Sequence, residues 1–329
     1  MYNIAIVGAT GNVGRKFLSI LEEREFPVKN LYLFASARSK GKKMTFKGKE
    51  YIVEETIEEN IKSKDIDFAL FSAGGDTSLK FAPIFSKYGA VVIDNSSAWR
   101  MDPKVPLVVP EVNPEDIKWH NGIIANPNCS TIQAMPVLKA IHDKYGLKRV
   151  VYSTYQAVSG AGIQAIRDLE DGMKGIAPKK FPKPIVGNVL PHIDVFLENG
   201  YTKEEMKMIN ETRKILHIDD LKVTATTVRV PVLNSHSESV NVETINPFEL
   251  KDVIKTLEEA PGVTVWNDVE NLQYPTPLEV TDKDDVYVGR IRRDFSIDNG
   301  LNLWVVADNI RKGAALNAVQ IAELMINNK

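Results

Sequence analysis

Short apolar runs alternate with amphipathic segments over the first part of the chain. Residues 3–7 are rich in isoleucine and valine and are followed by a glycine, which is typical of a buried strand. Residues 12–24 follow with apolar side chains at helical spacing, and further apolar runs occupy residues 31–35 and 67–71. Because strands and helices alternate, the pattern predicts a doubly wound parallel sheet of the Rossmann type.

The middle of the chain has a different pattern. Residues 150–158, 222–232 and 237–245 are rich in β-branched side chains or alternate between apolar and polar positions, with fewer strong helices between them. These segments predict a second, α+β domain with a mixed or antiparallel sheet. A helical stripe follows at residues 314–327, and the proline- and lysine-rich piece 177–184 is predicted to be an irregular loop.

Three glycines, Gly8, Gly11 and Gly14, follow the first predicted strand and open the first predicted helix. Glycines at such a turn let the backbone approach a pyrophosphate, and the helix N-terminus offers N–H groups and a favourable dipole. The spacing is Gly-x-x-Gly-x-x-Gly rather than Gly-x-Gly-x-x-Gly. The prediction of a phosphate-binding turn therefore depends mainly on the position of the glycines directly after a strand. A glycine turn without a ligand is the alternative.

The end of the second predicted strand bears on the choice between NAD and NADP. An acidic residue there would bind the ribose of NAD, whereas a basic residue suits the 2′-phosphate of NADP. The chain reads Phe34-Ala35-Ser36-Ala37-Arg38-Ser39-Lys40 and contains no acid in this stretch. Arg38 and Ser39 therefore favour NADP, with a solvated basic loop as the alternative.

Composition and charge narrow the functional classes. The 41 Lys and Arg residues and 43 Asp and Glu residues leave a net charge of -2, so the chain lacks the basic excess of a nucleic-acid-binding protein. A single cysteine excludes an internal disulfide and any multi-cysteine metal centre, and the five histidines are too widely spaced for helical metal motifs. Since no secretory signal or membrane span is apparent, we expect a soluble cytoplasmic protein without a bound metal.

The one cysteine, Cys129, stands in the polar stretch 126–131, just before a predicted helix over residues 132–145. A helix N-terminus stabilises a thiolate and can also stabilise an oxyanion on a carbonyl that the thiolate attacks. A lone cysteine is more often a small buried apolar residue, but the asparagine- and proline-rich surroundings favour a nucleophile. His236 and His192 are both candidates for its base, because catalytic partners meet in space rather than along the chain.

Five motifs follow one another along the chain. They are Gly8-Ala9-Thr10-Gly11-Asn12-Val13-Gly14, Asp94-Asn95-Ser96-Ser97-Ala98-Trp99-Arg100, Asn126-Pro127-Asn128-Cys129-Ser130-Thr131, Ser153-Thr154-Tyr155-Gln156-Ala157-Val158-Ser159-Gly160-Ala161-Gly162, and Arg229-Val230-Pro231 followed by His236. Their order and separations resemble those of the aspartate-β-semialdehyde dehydrogenase family over essentially the whole chain. The resemblance implies a reversible NADP-linked reduction of β-aspartyl phosphate to aspartate semialdehyde with release of phosphate, on the route to lysine, threonine and methionine.

The resemblance implies that Cys129 is the nucleophile of an acyl-thioester mechanism and that His236 is its acid/base. In that scheme the histidine takes the thiol proton, the thiolate attacks the acyl phosphate, and hydride transfer occurs at the thio-linked carbon. The side chains implied to contact substrate are Gln156, Arg229, Glu204, Arg100, Lys207 and Asn128.

Most of these implied substrate contacts can be sorted by their chemistry. Gln156 matches the residue that orients the substrate, and the planar fork of Arg229 suits a bidentate contact with the substrate carboxylate. Arg100 and Lys207 match the phosphate-binding positions of the family. Glu204 matches the group that meets the substrate ammonium.

The segment that holds Glu204 also has the pattern of a helix start. Thr202-Lys203-Glu204-Glu205 has the form of a capping box in which Glu205 serves the helix N-terminus and leaves Glu204 for substrate. Lys207 follows on the same predicted helix face, where a surface ion pair with Glu204 is the alternative to phosphate binding.

The resemblance also implies two domains. An NADP-binding domain would comprise residues 1–128 together with 308–329, and a catalytic and dimerisation domain would comprise residues 129–307. The expected assembly is a homodimer or a homotetramer, and the expected partners are small-molecule substrates. The residues implied to bind NADP are Gly8, Thr10, Gly11, Asn12, Val13, Arg38, Ser39, Ser159, Gly160 and Asn309.

Other functions are compatible with parts of this pattern. Glyceraldehyde-3-phosphate dehydrogenases share the thioester chemistry, but they carry Ser-Cys-Thr-Thr-Asn where this chain has Asn128-Cys129-Ser130-Thr131-Ile132. An N-acetyl-glutamyl-phosphate reductase is an alternative, although its acylated substrate amine would give Glu204 little to bind. A non-enzymatic NADP-sensing protein is a further alternative, but it would have no use for Cys129.

Overall fold

The computed structural model describes residues 1–327, which form two compact units. The first unit is Met1–Asn128 together with the chain from Ala314 onward, and the second is Cys129–Gly313. The sequence placed the return to the first unit at residue 308, whereas in the structure the second unit extends to Gly313.

Both units combine strands and helices. The first unit contains strands β1 (Tyr2–Val7), β2 (Val28–Ala35), β3 (Lys43–Phe46), β4 (Lys49–Glu55), β5 (Phe68–Phe71), β6 (Val91–Asp94) and β7 (Ile123–Ala125), with helices α1 (Asn12–Glu23), α2 (Glu58–Lys62), α3 (Gly75–Lys87) and α9 (Asn317–Asn327). The second unit contains strands β8 (Leu147–Gln156), β9 (Lys222–Arg229), β10 (His236–Thr244), β11 (Val263–Val265), β12 (Val286–Asp294) and β13 (Gly300–Ala307), with helices α4 (Cys129–Tyr145), α5 (Ile163–Gly172), α6 (Lys203–Leu216), α7 (Leu250–Glu258) and α8 (Pro277–Val280). Among residues 1–327, no helix has the length and apolar character needed to cross a membrane.

The sheet of the first unit places the glycine turn at a crevice. Over the described residues its strand order is β3-β4-β2-β1-β5-β6-β7, with parallel pairing except between β3 and β4. The predicted doubly wound parallel sheet is therefore confirmed. Strand β1 pairs with β2 on one side and with β5 on the other, so its carboxyl end lies at the switch point where such sheets bind ligands.

A hairpin of β3 and β4 extends this sheet at its edge, and the sequence analysis did not predict it. Lysine and glutamate occupy four of the seven positions of β4, and Lys43 of β3 pairs with Glu50 across the hairpin. Charged side chains are common on edge strands because they discourage pairing with other chains. The same charges hide the apolar pattern by which a strand is recognised.

The sheet of the second unit is mixed, as predicted. Over the described residues its order is β11-β12-β13-β10-β8-β9, with β8–β9 and β11–β12 parallel and the other pairs antiparallel. Along β8, Val150, Tyr152, Thr154 and Gln156 are buried and alternate with more exposed residues. Since β8 and β9 run parallel, their carboxyl ends hold Gln156 and Arg229 side by side.

Helix α4 begins at Cys129, so the expected start at residue 132 was too late. The helix continues through Pro136, which has no N–H to donate to the preceding turn. Ile132, Met135 and Leu138 are almost completely buried. Packing of these apolar side chains stabilises a helix that its local sequence, with a proline in the middle, predicts less well.

One carboxylate organises the irregular loop predicted at residues 177–184, which forms neither helix nor strand. Asp168, in α5, accepts the backbone N–H groups of Lys179, Lys180 and Phe181 at 2.7–2.9 Å. These bonds lower the pKa of Asp168 against the opposing effect of burial. The loop is therefore fixed to α5 by a charge-assisted hydrogen-bond cluster.

Candidate active site

The cysteine and one histidine meet at the start of two elements of the second unit. Cys129 is the first residue of α4 and His236 the first of β10, and the Cys129 Sγ lies 3.2 Å from the His236 Nε2. His192, the other candidate base, instead stacks on the ring of Phe196 with 4.3 Å between centroids. Of the two histidines that the sequence left open, the structure pairs His236 with the thiol.

The hydrogen on the His236 ring can be assigned from its second nitrogen. The backbone N–H of Ala157 donates to His236 Nδ1 at 2.9 Å, and the ring is fully buried. Burial, with a smaller effect from the positive charge of Arg229, lowers the pKa of His236 well below its ordinary value, so the ring is neutral at neutral pH. A neutral imidazole has one donor and one acceptor nitrogen, so Nε2 carries the hydrogen and points it at the Cys129 sulfur.

A chain of hydrogen bonds connects the implied substrate-binding residues of this unit. Gln156 Nε2 donates to Glu204 Oε1 at 3.2 Å, and Lys207 Nζ donates to Glu204 Oε2 at 3.0 Å. Thr154 Oγ1 holds the other end of the Gln156 amide by donating to its Oε1. The structure therefore brings Gln156, Glu204 and Lys207 together, and Lys207 has a second carboxylate partner, Asp194, at 2.8 Å.

The start of helix α6 sets the positions of Glu204 and Lys207. The predicted capping box is confirmed, because Thr202 accepts the Glu205 N–H and the Glu205 carboxylate accepts the Thr202 N–H. Glu205 Oε1 also accepts the backbone N–H of Thr227 in β9 at 3.0 Å. Glu205 therefore joins the helix to the sheet and leaves Glu204 to face Gln156.

Arg229 lies at the end of β9 beside the same group of side chains. Its Nη1 donates to the Ala157 carbonyl oxygen at 2.6 Å, and 5% of the residue is exposed. Burial lowers the pKa of Arg229, while the negative charges of Glu204 and the Cys129 thiolate oppose that effect, so the guanidinium lies within electrostatic range of both.

Gly160 has no side chain, so the His236 ring and the Arg229 guanidinium can lie close to its backbone. A Cβ atom at this position would lie 3.1 Å from His236 Cε1 and 3.2 Å from Arg229 Nη1. The neighbouring Ser159 hydroxyl accepts from the Asn309 side-chain amide at 3.1 Å, and Asn309 Oδ1 accepts the backbone N–H of Ser235 at 2.8 Å. The structure thus gathers Ser159, Gly160 and Asn309 next to the residues that lead into β10.

The glycine turn of the first unit has the form that a dinucleotide requires. Gly8 follows β1 with a φ of +85°, and a Cβ atom there would lie 2.2 Å from the Ser72 carbonyl oxygen. Gly11 is the N-cap of α1, and among the described residues no side chain caps this helix start, which begins at Asn12. The N–H groups of the first turn, which includes Val13, are placed to bind phosphate.

The remaining predicted positions of the first unit are held in different ways. Arg38 and Ser39 lie in a 3-10 turn just after β2, with Arg38 exposed and the Ser39 hydroxyl accepting from Thr10 Oγ1 at 3.3 Å. Arg100 is buried and donates from Nε to the Asn126 carbonyl oxygen at 3.0 Å. Asn128 is also buried, and it ends the first unit directly before Cys129.

Sequence reasoning missed three groups around the site. The Ala157 amide, which fixes the His236 ring, is a backbone group with no signature in residue type. Asp194 lies in Pro191-His192-Ile193-Asp194, a segment in which the sequence analysis considered the histidine as a candidate base and not the aspartate. Glu238 lies in β10 two positions after His236, and only its unusual charge within a buried strand could have drawn notice.

We expect Glu238 to make stability depend on pH. It is fully buried; burial raises its pKa well above the ordinary value, and the Ser130 hydroxyl opposes this more weakly. The native state then binds more protons than the unfolded chain between the two pKa values, so stability falls as pH rises through that range. Glu238→Gln should raise the thermal midpoint at about pH 8, with a gain that shrinks toward about pH 4, where both forms of the chain hold the proton.

The matched control is Glu243→Gln in the same strand, where the native carboxylate pairs with Lys148 at 2.6 Å. This variant should not gain stability at alkaline pH. A Glu238→Gln gain that stays constant from acid to alkaline pH would contradict a protonated Glu238.

Two family profiles match the chain. Residues 3–120 match the semialdehyde dehydrogenase NAD-binding domain, and residues 138–312 match the semialdehyde dehydrogenase dimerisation domain. The aspartate-semialdehyde dehydrogenase of Aquifex aeolicus is 61% identical, over 99% of this chain and 98% of its own.

Solved structures show the same similarity. Aspartate semialdehyde dehydrogenase II of Vibrio cholerae, complexed with ASA, is 48% identical with a TM-score of 0.95, over 99% of this chain and 98% of that chain. The aspartate semialdehyde dehydrogenase of Candida albicans with NADP is 26% identical with a TM-score of 0.76, over 99% of this chain and 98% of that chain.

Proposed function

Since this chain belongs to the semialdehyde dehydrogenase family, we propose that it interconverts β-aspartyl phosphate and aspartate semialdehyde with NADPH, releasing phosphate. The observation that carries the proposal is the 3.2 Å contact between the Cys129 sulfur and a neutral, buried His236, beside Gln156, Glu204 and Arg229. This set provides a nucleophile together with groups for a carboxylate and an ammonium. The reaction serves the synthesis of lysine, threonine and methionine.

Cys129 forms the covalent intermediate. Its thiolate, stabilised at the N-terminus of α4, attacks the acyl carbon of β-aspartyl phosphate. The new C–S bond replaces the C–O bond to phosphate, and phosphate leaves with that electron pair. NADPH, when bound, supplies the hydride that reduces the resulting thioester, and Cys129 is released as the thiolate.

His236 stabilises the sulfur in both steps. Its Nε2–H points at the Cys129 Sγ, so it donates a hydrogen bond to the thiolate as nucleophile and again as leaving group. This role differs from the scheme expected from the sequence, in which the ring takes the thiol proton. A ring whose Nδ1 accepts the Ala157 N–H would lose that bond on becoming an imidazolium.

The other groups recognise the substrate by charge. Arg229 presents a planar fork to the α-carboxylate, and Glu204 meets the α-ammonium. Gln156 shares a hydrogen bond with Glu204 and orients the carbonyl that reacts. Lys207 and Arg100 bind the phosphoryl group, an assignment that follows the family positions, and Asn128 is a further proposed substrate contact.

The glycine turn supports a dinucleotide, and Arg38 supports NADP. Arg38 is exposed at the end of β2, where the 2′-phosphate of a bound nucleotide reaches in this fold. The remaining residues proposed to hold NADP are those of the glycine turn with Thr10, Asn12, Val13 and Ser39, and, in the second unit, Ser159, Gly160 and Asn309.

We expect Arg38→Leu to raise the KM for NADP by about 10- to 100-fold, because it removes a hydrogen bond between charged groups. The KM for NAD should change little. Lys40→Leu is the matched control, since Lys40 is a cation of the same segment that pairs with Glu55. Steady-state kinetics with both nucleotides measures the effect, and an equal loss with NAD and NADP would contradict the assignment.

The first experiment follows NADPH formation by absorbance, with aspartate semialdehyde as substrate, with and without phosphate. Turnover that requires phosphate supports the proposed reaction. A preparation that binds NADP but shows no turnover would refute it, and N-acetyl-glutamate semialdehyde then tests the alternative reductase.

We also propose that the chain acts as a cytoplasmic homodimer without nucleic-acid partners. The match of residues 138–312 to a dimerisation domain supports self-association through the second unit. On the sheet of that unit, the ring centroids of Tyr155 and Trp304 lie 5.4 Å apart, and 39% of Tyr155 is exposed. Aromatic side chains of this kind are enriched at protein interfaces, and the reactive thiol suits a compartment in which cysteines stay reduced.

A further inference from the structure

Two carboxylates hold the ammonium of Lys207. Its Nζ lies 2.8 Å from Asp194 Oδ2 and 3.0 Å from Glu204 Oε2, and its side chain is 20% exposed. An ammonium has three N–H donors, so these two bonds leave a third N–H that neither carboxylate uses. The position of the Lys207 charge is therefore fixed by two acids, of which only Glu204 figures in substrate recognition.

The backbone around Asp194 ties it to the helix that carries Lys207. Asp194 has a φ of +68°, in the left-handed region, and its Oδ1 accepts the Val195 N–H. The Val195 carbonyl oxygen then accepts the N–H of Lys203, the first residue of α6, and Phe196 forms a bridge with Thr202. The loop and the helix start are joined by backbone hydrogen bonds, so the carboxylate of Asp194 is held at a defined place beside Lys207.

Lys207 and its two carboxylate partners affect one another's ionisation. Burial would neutralise Lys207, but Glu204 and Asp194 outweigh it and raise the pKa of the ammonium. Burial likewise opposes ionisation of Asp194, and the bond to Lys207 lowers the pKa of that carboxyl. Lys207 is thus a cation that two carboxylates share, and without Asp194 its nearest anion would be Glu204 alone.

We propose that Asp194 is a positioning residue for phosphoryl binding: it holds the Lys207 ammonium between itself and Glu204, so that the third N–H can bind the phosphoryl group. The inference rests on the proposed function. Because Asp194 shares the ammonium with Glu204, the Lys207 charge does not rest on Glu204 alone. Loss of Asp194 would leave Lys207 held by Glu204 as its single carboxylate partner of the two, and the third N–H would no longer be fixed in place for phosphate.

Two substitutions distinguish the hydrogen bond between Asp194 and Lys207 from the backbone conformation at residue 194. Asp194→Asn keeps an acceptor oxygen and tolerates a left-handed φ, whereas Asp194→Gly keeps only the backbone conformation. We expect Asp194→Gly to raise the KM for phosphate by about 10-fold, a loss typical of one charged hydrogen bond, with kcat and the KM for NADP within about 3-fold. Asp194→Asn should restore the KM for phosphate to within about 3-fold of the wild type.

A double substitution tests whether the effect passes through Lys207. In a Lys207→Ala background, Asp194→Gly should change the KM for phosphate by less than about 2-fold, since the two residues act through one contact. Glu50→Ala, which breaks the exposed ion pair with Lys43, is the control and should leave phosphate kinetics unchanged. Should Asp194→Gly fail to fold, Asp194→Ser provides the same test, because its side chain is too short to reach the ammonium.

The outcomes distinguish this inference from the proposed function. A wild-type protein without phosphate-dependent turnover would refute the proposed function itself. An active wild type whose KM for phosphate is unchanged by Asp194→Gly would overturn the role of Asp194 alone. So would an Asp194→Asn variant as impaired as Asp194→Gly, because the acceptor oxygen would then not be what positions Lys207.

Discussion

Replacing Cys129 by alanine is expected to lower turnover by roughly 10⁴-fold or more, the scale seen when a covalent nucleophile is removed. In the proposed reaction the thiolate sulfur of Cys129 bonds to the acyl carbon, and no general base or hydrogen bond can replace this covalent bond. NADP affinity should stay near the wild-type value because Cys129 is not among the residues proposed to bind NADP. The thermal midpoint should change little because the substitution removes one sulfur atom from a residue that is not fully buried. Turnover near the wild-type rate would refute the nucleophile assignment.

Chemical labelling provides an independent measurement at the same position. Cys129 is the one cysteine of the sequence, so incorporation of iodoacetamide reports on this thiol alone. We expect one label per chain in step with the loss of activity, and none in Cys129→Ala. A non-enzymatic NADP-sensing protein would show no turnover and would keep its NADP binding after labelling. Retained turnover at full incorporation would refute the nucleophile assignment.

Much of the site could be predicted where residue type alone carries the information. Cys129 and the glycine turn are identifiable because the asparagine-rich surroundings of the cysteine, and the position of the three glycines directly after a strand, favour a chemical role over a purely structural one. The capping box that begins at Thr202 is local, and it correctly separated Glu205, which serves the helix, from Glu204, which faces Gln156. Local signals of this kind survive folding because their partners lie within one turn.

The parts that could not be predicted depend on contacts between distant segments. His236 and His192 looked equivalent until the sheet placed one ring against the thiol and the other on Phe196. The early start of α4 at Cys129 follows from burial of its apolar side chains rather than from its sequence. Asp194 is the partner of a lysine thirteen positions later, and this contact exists only because the loop folds back on α6.

The role of His236 in the mechanism is where the interpretation from the sequence and the interpretation from the structure differ most. Residue type suggested a base, whereas the Ala157 N–H on Nδ1 makes the neutral ring a donor through Nε2. In the proposed mechanism the donor stabilises the thiolate without accepting its proton, so the proton of the thiol passes to solvent before attack. Two consequences separate the donor from the base: the effect of an amide in place of the ring, and the pH dependence of thiol reactivity.

We expect His236→Ala to lower kcat by about 10²- to 10⁴-fold, the usual range for a lost acid, base or charged hydrogen-bond donor. His236→Gln should recover part of that loss, because its amide offers an N–H to the Cys129 sulfur but cannot serve as a base at neutral pH. His236→Leu, which fills the cavity without a donor, is the matched control and should behave like His236→Ala.

The rate of Cys129 alkylation against pH tests the same assignment in the wild-type protein. Since burial lowers the pKa of His236 well below its ordinary value, the ring stays neutral as pH falls through about 6.5, where an unperturbed imidazole would gain a proton. The rate should therefore follow the ionisation of the thiol alone and show no second inflection near that pH. An inflection near 6.5 that disappears in His236→Gln would show that the ring titrates with the thiol, and His236 would then be the base that the sequence suggested.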